Sequence, residues 1–167
     1  MDHYAGLDVS LDETAICVVD GTGRIVKEVR AASEPEALIA ALRATGLPLE
    51  RVGLEACSLT AWLHDELRSA GLPAVCIETR QANATMKTMP NKTNRNDARA
   101  LAQIMRTGWF RPVHVKSRPC RLWRSLLVAR RTVLNEMRLI ENGVRAVLRE
   151  GGVKLEGCAS SPATMPF

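Results

Sequence analysis

The sequence predicts an α/β domain, a mixed five-stranded sheet with flanking helices, followed by a long coiled-coil-like helical appendage. Three observations predict it: an alternating three-strand meander over the first 30 residues, a strand–helix–strand passage behind it, and a heptad seam near the end. A meander gives antiparallel pairs and a strand–helix–strand unit gives a parallel pair, so one sheet holding both is mixed.

Each element has a local cause. Tyr4–Val9 and Thr14–Asp20 are strand-like, and Gly21-Thr22-Gly23 supplies the permissive backbone for a tight turn into Arg24–Arg30. Ser33 is the expected cap of a helix whose first turn holds Glu34, Pro35 and Glu36. Acids suit the partly positive helix start, and proline lacks the N–H that would go unpaired there. Ala37, Leu38, Ala41 and Leu42 recur at helical spacing, and Gly46 ends the helix. The apolar strand Val52–Ala56 leads to a helix from about Ser58 to Ala70, closed by Gly71, and Ala74–Ile77 is a further strand. Both later strands are apolar nearly throughout, as expected of central strands covered on two faces.

Beyond Arg80 the stretch Met86–Thr93, with Pro90 and no periodicity, reads as a loop. A helix over roughly Arg95–Arg106 follows from Ala98, Leu101, Ala102 and Met105. Pro119 opens the last element, which runs to about Arg149. Leu126, Arg130, Val133, Met137, Ile140, Val144 and Val147 form a heptad seam with Arg130 as its one polar member. Such a helix, at ~1.5 Å per residue, is too long for a small domain to cover; a helical hairpin or a coiled-coil partner is the outlet for its apolar face, and a homo-oligomer through residues 118–150 is expected. Residues 151–167 lose periodicity and read as a disordered tail. The expected division is therefore 1–117, 118–150 and 151–167.

Charge divides the chain more sharply than its net +5 suggests. Residues 1–79 hold 6 basic and 13 acidic side chains, whereas residues 80–167 hold 17 and 5. The second half thus suits a polyanionic partner, with a solvated basic helix surface as the plainer alternative. The longest apolar run, Ala37–Leu42, is far short of the ~20 residues a spanning helix needs, so no membrane partner is expected. The start, Met-Asp-His-Tyr, carries no signal-peptide pattern. Five cysteines without a C-x-x-C pair, and three scattered histidines, point to a reducing cytoplasm and no structural zinc.

The chemistry-bearing pattern is acidic. Asp8 closes the first strand within Gly6-Leu7-Asp8-Val9-Ser10, and Glu55 closes a buried strand within Val52-Gly53-Leu54-Glu55-Ala56. Ligand groups gather at strand ends in open α/β sheets. Two carboxylates on neighbouring central strands repel unless a cation lies between them, and such oxygens suit Mg²⁺ or Mn²⁺. The plainer readings are a turn residue for Asp8 and, for Asn94 and Asp97, an N-cap and a third helical position. The order of strand Asp, strand Glu and helix Asp beside a basic loop fits a ribonuclease-H-like fold carrying out metal-dependent phosphoryl transfer on nucleic acid.

These residues resemble the N-terminal RuvC-like domain of the DEDD insertion-sequence transposases, the family associated with a guiding bridge RNA. The resemblance is carried by Ala5–Ser10, Gly53–Cys57, Asn91–Ala102, Arg106–Val113 and the basic helix after Arg118, spanning about residues 3–150. It implies DNA strand cleavage and rejoining, with Asp8, Glu55 and Asp97 as catalytic metal ligands. Asn94 stands where the family has its third acid, so the quartet here is D-E-N-D. An amide oxygen can ligate a hard cation but brings no charge. The resemblance also implies a serine-bearing second domain that this chain does not match. The chain is therefore expected to be the front part of a longer enzyme, or an inactive remnant that binds RNA or DNA or oligomerises.

The expected nucleic-acid surface is Lys92, Arg95, Arg99, Arg106, Arg111, Lys116, Arg118, Arg121, Arg124, Arg130 and Arg131. DNA and a guide RNA are the implied partners. Trp109, Phe110 and Trp123 are read as packing residues ahead of base platforms. Two other classes share part of the pattern. An actin-like or sugar-kinase-like ATPase also opens on a hairpin bearing an Asp, but Asp8-Val9-Ser10 lacks the glycine that admits phosphate. A stand-alone junction resolvase shares the fold.

Overall fold

In the computed structural model residues 1–78 and 93–154 are described, and the chain divides into two compact units, Met1–Lys116 and Ser117 onward. The first unit contains β1 (His3–Val9), β2 (Glu13–Asp20), β3 (Ile25–Ala32), α1 (Pro35–Arg43), β4 (Leu49–Glu55), α2 (Thr60–Ser69), β5 (Ala74–Ile77) and α3 (Asn94–Thr107). The strands lie in the order β3-β2-β1-β4-β5. β1 pairs antiparallel with β2 and β2 with β3, while β1–β4 and β4–β5 are parallel. This is the mixed, ribonuclease-H-like sheet that the sequence predicts.

Side chains alternate across a strand, and that period sorts the two faces. Ala5 and Leu7 of β1, Ile16 and Val18 of β2, and Val52 and Leu54 of β4 meet Leu38 and Leu42 of α1 and Leu63 and Leu67 of α2 in the larger core. The other parity meets α3. Ala15, Cys17 and Val19 pack on Ala98 and Ala102, while Ile77 packs with Leu101, Ile104 and Met105. Burial pushes the Cys17 thiol up to about 11, as for an inert core cysteine. Gly6 decides how close α3 can come. A Cβ there would stand 2.3 Å from both the Ala102 amide nitrogen and the Ala98 carbonyl oxygen.

Several local expectations yield to tertiary demands. Ser33 does not cap α1; the N-cap is Glu34 and no side chain closes it. Ser33 is buried instead, donating from Oγ to the Ser10 carbonyl at 2.7 Å and bonding Thr14 Oγ1 at 2.8 Å. Two buried hydroxyls satisfy each other there, a stronger requirement than an exposed helix end. β4 begins at Leu49 and α2 at Thr60, three residues earlier and two later than the apolar pattern suggests. The turn after β2 is set by Asp20, whose Oδ1 accepts from the Thr22 and Arg24 amides at 2.8 and 3.0 Å.

The larger correction concerns β5, which is an edge strand and not a central one. It is apolar because both its faces are covered, Ala74 in the larger core and Ile77 against α3, and the chain after α3 returns along its outer edge. Val113 N–H donates to the Cys76 carbonyl at 2.8 Å, and Glu78 N–H donates to the Arg111 carbonyl at 3.3 Å. An edge paired in this way needs no guarding charges.

The second unit is α4 (Arg118–Glu150), 33 residues and therefore about 50 Å long. None of its residues is buried, and the apolar members of the heptad seam are 52–68% exposed. Among the described residues no helix is long and apolar enough to cross a membrane. The loop expected over residues 86–93 lies, except for Thr93, outside the described residues, as does the tail from residue 155.

Candidate carboxylate site and basic surface

The parallel register pairs Gly6 with Gly53 and Leu7 with Leu54. Asp8 and Glu55 are the next residue on each strand, so alternation gives them the face of Gly6 and Gly53, the face that α3 covers. Neighbouring strands lie ~4.8 Å apart. Both acids are partly buried. The chain beyond Glu55 is braced by buried Thr60, whose Oγ1 donates to the Glu55 carbonyl at 2.5 Å and accepts from the Cys57 N–H at 3.0 Å.

The start of α3 is built differently from the sequence expectation. Thr93 is the N-cap, with extended backbone, and its Oγ1 accepts from the Asn96 amide at 3.2 Å. Asn94 is thereby the first helical residue and Asp97 the fourth. Released from capping, Asn94 donates from Nδ2 to Ser10 Oγ at 3.1 Å. That bond ties the helix start to the residue two beyond Asp8. Asp97 sits in the first turn, where the partial positive charge of the helix end favours a carboxylate.

The donors that this end of the sheet offers are hard oxygens of the kind Mg²⁺ and Mn²⁺ take. Two come from strand carboxylates on one face, and Asp97 and Asn94 stand on the helix tied beside them. Among the described residues no group of three or more His, Cys, Asp or Glu is placed to hold an ion. The Asp8–Glu55 pair fits a divalent ion in donor type.

The expected basic surface separates into parts. Arg95 and Arg99 do not face outward alone; both grip Glu28 of β3. Arg99 donates from Nε to Oε1 at 2.6 Å and from Nη2 to Oε2 at 3.1 Å. Arg95 donates from Nε to Oε2 at 3.0 Å and also from Nη2. The two guanidiniums hold the Glu28 carboxyl down at about 2. A depressed carboxyl contributes stability above its ordinary value of 4.5 and loses it as pH falls through about 2. The start of α3 is therefore expected to loosen between those values, and amide exchange at Asn96 and Asp97 in Glu28→Gln should lack that acid-dependent step.

Arg106 donates from Nε to Gln103 Oε1 at 2.8 Å, and Gln103 reaches the Gly23 carbonyl at 2.7 Å, so both serve the far end of α3. Arg111 and Lys116 lie on the exposed segment after α3, while Arg118, Arg121, Arg124, Arg130 and Arg131 belong to the second unit. Lys92 lies outside the described residues. The aromatics also sort differently from expectation. Trp109 and Trp123 are 83% and 68% exposed, while Phe110 packs beside Ile77, Leu101, Ile104 and Met105. The left-handed C-cap Gly108 ends α3, and the side chains that follow then divide between solvent and core.

Sequence reasoning missed Glu28. Its signal was a lone acid amid an edge strand, facing a helix with arginines four residues apart.

A family model described as a transposase, of the DEDD IS110 type, matches residues 5–152. No curated protein matches the chain. Among solved structures, Thermus thermophilus RuvC in complex with a Holliday junction substrate is 14% identical, with coverage of 68% of this chain and 100% of that chain and a TM-score of 0.47. A further structure of Thermus thermophilus RuvC is 16% identical, with coverage of 66% and 99% and a TM-score of 0.47. A ROK family glucokinase from Streptomyces griseus, in complex with glucose and AMPPNP, is 26% identical, with coverage of 51% and 36% and a TM-score of 0.37. The family match runs from within β1 to just past the end of α4, and the chain belongs to the IS110-type DEDD transposase family.

Proposed function

We propose that the first unit is a metal-dependent strand-cleaving domain that acts on DNA during transposition. The observation that carries this reading is the placement of Asp8 and Glu55 at neighbouring strand ends on one face, with the first turn of α3 tied alongside through Asn94 and Ser10. Asp8, Glu55 and Asp97 would hold Mg²⁺ or Mn²⁺, and Asn94 would offer an uncharged oxygen. When bound, the ion supplies charge stabilisation for phosphoryl transfer. Asp8 and Glu55 would fix its place on the sheet, and α3 would bring its remaining ligands.

The cationic residues outside the Glu28 clamp, Arg111, Lys116 and the arginines of α4, would take the backbone of DNA and of a guide RNA. Binding is then expected to fall steeply with salt; a footprint using about six phosphates loses about 10³-fold between ~50 and ~200 mM. Affinity that is flat across that range would refute the assignment. The exposed heptad seam of α4 supports self-association, and sedimentation showing only monomer at high concentration would count against it.

A second reading is favoured by Asn94, which removes one charge from the ligand set: a nucleic-acid-binding or oligomerisation module without cleavage activity. Incubating end-labelled DNA with the purified chain in Mn²⁺ or in chelator separates the two. Metal-dependent nicks that vanish in Asp8→Asn support the first reading. Salt-sensitive binding without nicks in either condition supports the second.

A further inference from the structure

We propose that Glu28, gripped by Arg95 and Arg99, is a positioning residue for the carboxylate site, holding the first turn of α3, and with it Asn94 and Asp97, beside the end of β1. The inference rests on the metal-site reading above.

The argument begins with what holds α3. From Ala98 onward its inner face is buried in the core and pressed on Gly6 and Gly53. The first turn, residues 94–97, contains no buried residue. Apolar packing therefore fixes the helix axis but not its beginning, and the place of Asn94 and Asp97 depends on polar tethers.

Among the described residues, two tethers tie this turn to the sheet side, and they pull from different strands. Asn94 bonds Ser10, just past β1, at 3.1 Å. Arg95 and Arg99, one helical turn apart and so on one face, both reach Glu28 on β3. Arg99 meets the carboxylate as a two-pronged fork and sends its third branch, Nη1, to Asn96 Oδ1 at 3.3 Å. Such a fork fixes orientation as well as distance. Glu28 is suited to anchor it, because its side chain is 19% exposed and its strand is paired to β2 along most of its length. Rotating or sliding the helix start would break either the Ser10 bond or the Glu28 fork.

A plain surface ion pair contributes little to stability, so the arrangement acts through geometry more than through stability. Groups bonded directly to metal ligands commonly set affinity by ~10–100-fold; Glu28 acts one step further out, through the backbone of α3, so the lower end of that range is expected.

The test uses the full chain and compares wild type, Glu28→Gln, Glu28→Asp and Asp8→Asn. Mn²⁺ affinity is read by the paramagnetic resonance signal of the free ion, and amide exchange is read at Asn96, Asp97, Ile104 and Met105. Glu28→Gln is expected to weaken Mn²⁺ binding about tenfold and to speed exchange at Asn96 and Asp97, leaving Ile104 and Met105 unchanged. Glu28→Asp should recover part of both effects. Unchanged Mn²⁺ affinity in Glu28→Gln, with affinity lost in Asp8→Asn, overturns the positioning role and leaves the metal site standing. Tighter DNA binding by Glu28→Gln at unchanged Mn²⁺ affinity overturns it too, and makes Glu28 a mask over phosphate-binding arginines. Wild-type Mn²⁺ binding that is absent, or indifferent to Asp8→Asn, removes the metal-site reading itself. Unaltered exchange at Asn96 and Asp97 refutes the tether whatever the metal does. Should Glu28→Gln fail to fold, the pair Arg95→Gln and Arg99→Gln carries the same expectations.

Discussion

Gly6→Ala is expected to lower the melting temperature of the first unit by roughly 10 °C, corresponding to about 3 kcal/mol of overpacking. The added methyl would stand 2.3 Å from the Ala102 nitrogen and the Ala98 oxygen, and 2.7 Å from the Leu101 Cβ. Two of those three atoms are backbone in the middle of a helix, so no side chain can rotate away. Relief requires α3 to rise from β1. Because α3 carries Asp97 and Asn94, the same change should abolish Mn²⁺ binding even at temperatures where the chain remains folded. Gly53→Ala is the control. Its methyl would meet the Cγ, Sδ and Cε of Met105 at 2.6, 2.7 and 3.0 Å, all within one flexible side chain. Methionine re-packs readily, so a cost of about 1 kcal/mol is expected there. Equal melting temperatures for the two variants would show that α3 does not depend on close approach at Gly6.

Asn94→Asp should change stability with opposite signs in the presence and absence of a divalent ion. Without the ion, a carboxylate joins Asp8 and Glu55 at one end of the sheet, and their repulsion lowers the melting temperature. With Mn²⁺ present, the added charge strengthens binding by on the order of tenfold, since ligand charge count tunes affinity at such sites. The melting temperature then rises above that of wild type through linkage to the ion. The substitution is locally tolerable. A carboxylate in the first helical turn is favoured by the helix end, and Ser10 Oγ can turn its hydrogen to donate where it now accepts. In an Asp8→Asn background the gain should disappear. A melting temperature that shifts identically with and without Mn²⁺ would place residue 94 outside the ion's reach.

The sheet was legible because its signals are local and repeated. The apolar runs of β1, β2, β4 and β5 and the helical spacing in α1 and α3 each state a pattern that burial then follows. Asp8 and Glu55 were legible for the same reason, since a strand-end carboxylate beside a glycine two residues earlier has a face fixed by alternation. What escaped depended on partners distant in sequence. Ser33 left its cap for Thr14 and Ser10, Thr93 took the cap that Asn94 was expected to fill, and β5 became an edge covered by residues 111–113.

The basic residues show the division most clearly. Their accumulation after residue 80 is a property of the sequence alone and points to a polyanion. Which of them remain for that polyanion is a tertiary matter, because Arg95 and Arg99 lie four residues apart while the Glu28 that occupies them lies about 70 residues earlier. The sequence by itself determined the class of fold, the two strand carboxylates and the sign of the second half. Only the tertiary structure decided that Glu28 holds α3 to the sheet, since a bond between distant residues leaves no period for a sequence to display.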